Sequence, residues 1–391
     1  MSNHSAADAI YIDPMARREY VFAWLIGLGY STTQNFSPVL AIVFQQSGFG
    51  LPAIGLLLSL FAIPTLTATL LSSAAAARFG VLPAARLSIV LTAIGMGSLA
   101  FTRNDFATAL ASRLFQGVGV GLFLPVMMLY VQSRLTRVNF IHLVTIFTVT
   151  LPLASAIAPP LGEWTLRHFG ATTMFVVAVA PAILALGLSF LLRPSAAAAP
   201  ASGLNLAGGF RRRFVLPLVS ILVGGALYGY VLSYLPADLQ ARGVPLAVYF
   251  LPSTAALLLT RFLGMKRLQH FGPRILVAGG MLLQALGYVI IAPTNNWLVA
   301  ALAGALLGAG NSFMWPIVSA WLSEGLEAAE RAAPQAVGST VFYSGLYVVP
   351  LPLTYLIAHF GYAATEWVLA ALALVMMLAL LAPRRTHSAA R

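Results

Sequence analysis

The chain has 391 residues, 60% of them apolar and only 8% charged, with a mean hydropathy of +0.89. Such a composition excludes an ordinary water-soluble domain, which would have too little polar surface to face solvent. The formal net charge of +12 does not point to nucleic acid, because the basic residues stand between apolar runs instead of forming one basic face.

Crossing the ~30 Å hydrocarbon core takes about 20 apolar residues in a helix. On that measure, twelve spans are expected, the first six near 20–43, 51–75, 84–101, 107–131, 139–163 and 171–192. The second six fall near 214–236, 244–265, 274–293, 297–323, 336–358 and 363–382. Residues 1–193 are therefore read as one six-helix bundle and 214–391 as a second. Residues 194–213, rich in Ala, Pro, Gly and Ser and ending in three arginines, are read as a cytoplasmic linker. With a cytoplasmic N-terminus, 17 lysines and arginines fall on the cytoplasmic side and only Arg103, Arg167 and Arg242 on the other. That imbalance places both termini inside. The polar first 18 residues lead straight into the first span, and no cleavable signal peptide is expected there.

The halves echo one another. Gly117, Gly119 and Pro125 recur 191 residues later as Gly308, Gly310 and Pro316, and His168-Phe169-Gly170 recurs as His359-Phe360-Gly361. Arg78-Phe79-Gly80 and His270-Phe271-Gly272 stand 192 apart, one residue out of step. Parallel half-repeats in a membrane chain imply two bundles around a central pathway, with a solute site near the bilayer midplane. Polar and aromatic groups inside apolar spans are the candidates to line it. In chain order these are Tyr30, Gln34 and Asn35 in the first span, Tyr228, Tyr230 and Tyr234 in the seventh, Asn311 and Trp315 in the tenth, and Tyr343 in the eleventh. Each has a blander reading, since aromatics belt membrane interfaces and small polar groups bridge helices.

Helix 4 carries Arg113-Leu-Phe-Gln-Gly-Val-Gly-Val-Gly121. Over roughly residues 20–382 the chain resembles the major facilitator superfamily, whose RxxQGxGxG signature this segment matches. A mid-span arginine costs roughly 2.5–3.5 kcal/mol, so it faces protein or a watery cavity. The resemblance implies a role for Arg113 in proton coupling; the plainer alternative is that it binds backbone carbonyls and locks helix 4 to helix 1. The loop at Arg78 and Gly80 resembles the family's GxxxDRxGRR loop with Ala77 in the place of its acid, which implies a weakened conformational latch. Its counterpart keeps Gly272 but has Gln269 and His270, and Arg261 matches an arginine common near the cytoplasmic end of helix 8. In helix 5, Ala154 to Glu163 resembles the GxxxGPxxGG pattern of the exporter branches: Pro159 and Gly162 fit, while Ala154, Ala158 and Glu163 replace glycines.

The ten acids also carry information. The first span has none, and Gln34 and Asn35 stand where cation exporters of the family often keep an acid. With Arg113 buried, a neutral or anionic substrate is expected. Proton coupling falls first to Glu163, then to Asp238, His142 or an arginine-linked water network. The expected function is proton-coupled export of a small organic molecule, such as a siderophore or a toxic amphiphile, across a bacterial inner membrane by a monomer embedded in the lipid bilayer. The alternative is uptake of an organic acid or sugar by proton symport. No enzyme, cofactor or metal site is expected: there is no GxxxxGK[ST] loop, no His/Asp/Glu set at ligand spacing and no cysteine.

Overall fold

A computed structural model describes residues 14–102, 104–133, 146–194, 211–268, 270–327 and 330–382. Most of the expected linker, His142, Gln269 and the basic C-terminal tail lie outside the described residues. The described chain is all helical: α1 (Pro14–Gln34), α2 (Leu51–Phe79), α3 (Val81–Ser98), α4 (Phe106–Ser133), α5 and α6 (Thr150–Ser189, divided at Gly170), α7 (Val215–Ser233), α8 (Leu246–Leu259), α9 (Pro273–Ile291), α10 (Trp297–Ser323), and α11 and α12 (Ala332–Tyr347 and Pro350–Leu381, with α11 running on to Gly361 and α12 following it). Nine stretches among the described residues are long and apolar enough to cross a bilayer. Two of these stretches are double passes, broken at Gly170 (φ 82°) and Gly361 (φ 80°). With those breaks counted, and with α1, whose Arg17, Arg18 and Glu19 dilute its hydropathy, the passes number twelve.

The repeated histidines explain themselves at these breaks. His168 Nδ1 lies 2.8 Å from the Trp164 carbonyl and His359 Nδ1 2.9 Å from the Tyr355 carbonyl, each ring sealing the last turn before a left-handed glycine. A β-carbon is disfavoured at such φ values, which is why glycine recurs there. Gly80 does the same between α2 and α3 (φ 90°), whereas Gly272 has φ −62° and starts α9 without that requirement. Elsewhere, Asn296 accepts hydrogen bonds from Leu298 and Val299 at the start of α10. Asp105 accepts one from Thr108 at the start of α4, and the Thr108 hydrogen bonds hold its carboxyl below the usual carboxylate range.

Within the first half, α1 packs on the α5–α6 stretch, α4 on α2 and α3, and α3 on the α5–α6 stretch; in the second, α7 packs on α11, α10 on α8 and α9, and α9 on the α11–α12 stretch. The 191-residue repeat is the signature of α4 and α10. A Cβ at Gly117 would strike the Phe61 carbonyl of α2, and one at Gly308 the Ser253 carbonyl of α8. One at Gly119 would strike the Ser88 carbonyl of α3, and one at Gly310 the Gly280 carbonyl of α9. Phe61/Ser253 and Ser88/Gly280 are each 192 apart, so the one-residue slip lies in the α3–α4 and α9–α10 connections, where length is free to vary.

Two span ends differ from the sequence reading. The first span does not run unbroken to 43: α1 ends at Gln34, and a 3₁₀ turn at Ser37–Val39 leads to the short helix Leu40–Gln46. Asn35 Nδ2 donates to the Ser31 carbonyl (2.8 Å) at that point, and Pro38 follows. The fifth span continues to residue 169 instead of ending at 163, which carries Glu163 more than a turn inside the helix.

Candidate functional site

The two halves meet where α2 packs on α11 and α5 on α8, and where the segment after α1 touches the short helix Leu235–Ala241 after α7. Near this seam Arg113 is 3% exposed and has no ion pair among the described residues. Its Nε donates to the Leu57 carbonyl of α2 (3.2 Å), Nη1 donates to Gln116 Oε1, and the guanidinium lies 4.2 Å from the Phe61 ring centroid. Gln116 Nε2 then donates to Gln34 Oε1 and to Ser37 Oγ, both at 3.3 Å. The backbone it binds is thus that of α2, not α1 as the locking alternative supposed; α1 is reached only through Gln116. At the equivalent place in the second half, Gly304 lies directly against the Tyr249 carbonyl, so the arginine is a feature of one half alone.

The other substrate candidates separate into groups. Asn35 accepts from Ser155 Oγ (2.6 Å), tying the end of α1 to α5. Tyr30 points into the first bundle, bonded to Thr92 Oγ1 (3.0 Å) and stacked on Phe123 with 3.5 Å between centroids. Asn311 lines a cavity with Ser155, Tyr228, Ser253, Thr254 and Gln284, a space of about 30 Å³ with room for about one water molecule. Thr254 donates across the seam to the Pro152 carbonyl (3.2 Å). Tyr343 stacks on Tyr347, whose ring meets Phe61 edge-on beneath Arg113. Trp315 is 38% exposed and rests on Phe342. Arg261 sits in a π-helical turn, Thr260–Gly264, and its buried Nε has no hydrogen-bond partner.

Tyr230 and Tyr234 belong elsewhere. Tyr230 donates to Glu366 Oε1 (3.0 Å) and packs edge-on against Tyr288, while Tyr234 bonds Thr354. Around Glu366 lies a cluster that sequence reading met only in part. Arg242 Nη2 reaches Glu366 Oε2 at 2.9 Å, its Nε reaches Asp238 Oδ1 at 2.9 Å, and its Nη1 caps the Ile291 and Thr294 carbonyls at the end of α9. Asp238 is 3% exposed and Glu366 not at all. The findable signal was the Asp238–Arg242 spacing of four; the involvement of Glu366, 124 residues further on, had none.

Glu163 bridges the halves. Its Oε2 accepts the Leu246 N–H (2.7 Å) at the first turn of α8, and its Oε1 pairs with Arg167 (2.8 Å). A carboxylate is favoured at a helix N-terminus by the unpaired N–H groups and the helix dipole. One helical position earlier, a Cβ at Gly162 would press on Phe36 and Val39, so α5 seals closely against the segment after α1. Pro159 lies buried in the same helix. Of the loop residues, Arg78 lies over the neighbouring Phe79 ring (5.7 Å).

Two bundles of six helices packed about a seam lined by polar groups define a polytopic membrane protein of the transporter class. The sequence profile of the Major Facilitator Superfamily matches residues 21–266 and 243–391, and the chain belongs to that family of membrane transporters. Among solved structures, it is similar to a variant of the nucleoside transporter NupG at 12% identity, with a TM-score of 0.79 over 93% of this chain and 99% of that one. It is also similar to a D-xylose-proton symporter (18%, TM-score 0.74, 92% and 96%). A third is a POT family transporter in complex with a thioalcohol-conjugated peptide (16%, TM-score 0.78, 93% and 95%). Comparison with curated proteins gave no match.

Proposed function

We propose that this secondary transporter moves a small anionic or neutral organic molecule by alternating access, coupled to protons, across a bacterial inner membrane with both termini cytoplasmic. The observation that carries the substrate class is the pair of arginines near the seam. Arg113 and Arg261 have no carboxylate partner among the described residues, and aromatic rings lie close to Arg113. Unneutralised guanidinium groups in a low-dielectric site attract an anion or the electron-rich face of a polar neutral solute, and repel a cation. The groups proposed to meet the substrate are Gln34, Tyr228, Asn311 and Tyr343, with Arg113 supplying the positive charge of the site.

Export is supported by α5, where Ala154, Ala158 and Gly162 are buried in close contact, as expected of a helix that seals one side of the pathway. Uptake is supported by the D-xylose-proton symporter among the similar structures. Mass spectrometry of cells and medium, comparing a strain lacking the gene with its complemented parent, separates the two. Export is supported by a compound that leaves the medium and accumulates inside the deletion strain. A medium compound that only the parent consumes establishes uptake instead.

Gln34→Ala is expected to cut transport about tenfold, ~1.4 kcal/mol of binding, with thermal stability kept, because its one side-chain hydrogen bond among the described residues is long, 3.3 Å from Gln116 Nε2. Asn35→Ala is expected to lower unfolding stability by about 1 kcal/mol, because it loses the Ser155 and Ser31 bonds. Transport assays and thermal melts of the two purified variants check this separation.

Glu163 is proposed as a latch on the end away from the termini. Glu163→Ala leaves the Leu246 N–H without its acceptor, a loss of about 1 kcal/mol typical of a helix cap. The ratio of closed to open forms at that end is expected to fall about fivefold, read as a larger share of long spin-label distances between Leu161 on α5 and Leu251 on α8. An unchanged distance distribution would remove the latch.

A further inference from the structure

The Asp238–Arg242–Glu366 cluster is built for an odd charge. Two carboxylates and one guanidinium would leave a net charge of −1 in a site where Glu366 is fully buried and Asp238 nearly so. The neighbours do not supply the missing positive charge. Tyr230 donates to Glu366 and Tyr288 packs edge-on against Tyr230; the other titratable groups in the neighbourhood, Tyr249 and Tyr362, are neutral phenols, and no second cation pairs with either acid among the described residues. Asp238 Oδ2 (2.5 Å) and Glu366 Oε2 (2.9 Å) both lie against the same Arg242 nitrogen, Nη2, which brings the two carboxyls side by side. Two ionised carboxylates at that separation repel strongly in a low-dielectric site, whereas a proton between them turns the contact into a hydrogen bond.

We propose that Asp238 and Glu366 share a single bound proton, and that this pair, not Glu163, is the site of the coupling proton. The second clause rests on the proton-coupled reading above; the first stands without it. The placement suits the task. Asp238 lies on the short helix Leu235–Ala241, which touches the segment after α1 across the seam, while Glu366 lies in α12 behind it. When the halves part at that end, Leu235–Ala241 loses its partner and the pair gains a route to solvent. Tyr230 and Tyr234 connect the pair to Thr354 on α11, which abuts Gly55 of α2 in the other half. The proton-loaded cluster is neutral and fits the closed seam; the unloaded cluster carries a buried charge and favours the open one.

The test is infrared difference spectroscopy of the purified full-length protein through a pH titration, with exchange into heavy water to mark protonated carboxyl groups. The wild type is expected to show one protonated-carboxyl band at neutral pH. Both Glu366→Gln and Asp238→Asn should lose it entirely, because either remaining acid is neutralised by Arg242 and ionises. A band that survives in Asp238→Asn would place the proton on Glu366 alone, and a band unchanged in both variants would place it elsewhere; either overturns the proposal. If Glu366→Gln does not fold, Asp238→Asn alone still decides, since only a shared proton disappears there. Sodium is the competing occupant: a melting temperature raised by sodium in the wild type but not in Glu366→Gln, with no carboxyl band, would also overturn it. The coupling clause is read separately in vesicles loaded with the compound found by mass spectrometry. Glu366→Gln should keep exchange at equal pH while its gradient-driven accumulation falls to the level without a gradient. Accumulation at the wild-type level would sink that clause and leave the shared proton standing.

Discussion

Arg113→Met is expected to reduce transport about a hundredfold, ~2.7 kcal/mol, while leaving thermal stability unchanged or raised. The two halves of this expectation come from the same geometry. The guanidinium is 3% exposed and is satisfied by a carbonyl, an amide oxygen and a ring face, none of which carries a full negative charge. The fold therefore bears the desolvation of a cation without a counter-charge, and an apolar side chain of similar length removes that burden. Transport loses the field that holds Gln116, and through it Gln34, in position. Transport of the identified compound and a melting curve of the purified variant check both. A large loss of stability would show instead that Arg113 holds α4 to α2, and an active variant would remove it from the mechanism.

Gly308→Leu should fail at the opposite level, in assembly. A single Cβ there would already collide with the Ser253 backbone, and a carbonyl cannot swing aside as a side-chain tip can. Overpacking of this kind costs about 1–3 kcal/mol or more, and with α10 forced off α8 the second bundle would not close. Gly119→Leu should do the same to the first bundle, where the collision is with Thr92 and the Ser88 carbonyl of α3. By contrast, Gly187→Leu, with nothing near its Cβ position, should be tolerated. Size-exclusion profiles of the three detergent-extracted variants check the contrast: aggregation for the first two, a wild-type peak for the third.

The features legible in the sequence are those with a local or periodic cause. Hydropathy alone marks the spans, and the recurring glycines mark helices that must approach a neighbour's backbone. Arg113 is conspicuous because a charge in an apolar run has no cheap surroundings. Side-chain direction is different. Glu366 and Asp238 are legible as acids near helix ends, where lipid headgroups or water would serve, but hydropathy does not reveal which way a helix faces. Only packing of the short helix Leu235–Ala241 and α12 about Arg242 turns both inward. Tyr228, Tyr230 and Tyr234 look alike in the sequence for the same reason, yet one lines the central cavity while the other two face away into the second bundle. The break after α1 is hidden because Leu40–Gln46 is as apolar as a continuing helix, and the chain turns there through Asn35 and Pro38.

The two seams at the end away from the termini are not fastened alike. Where Glu163 holds the first turn of α8 by charge, the residue 191 positions later is Thr354, which meets α2 at Gly55 by contact of shape. An electrostatic fastening slackens with acid or salt, and a steric one responds to neither. The mouth of the pathway thus has a soft lip and a hard lip. Its opening is expected to begin as a tilt about the α2–α11 side, with that side the pivot and the α5–α8 side the edge that lifts.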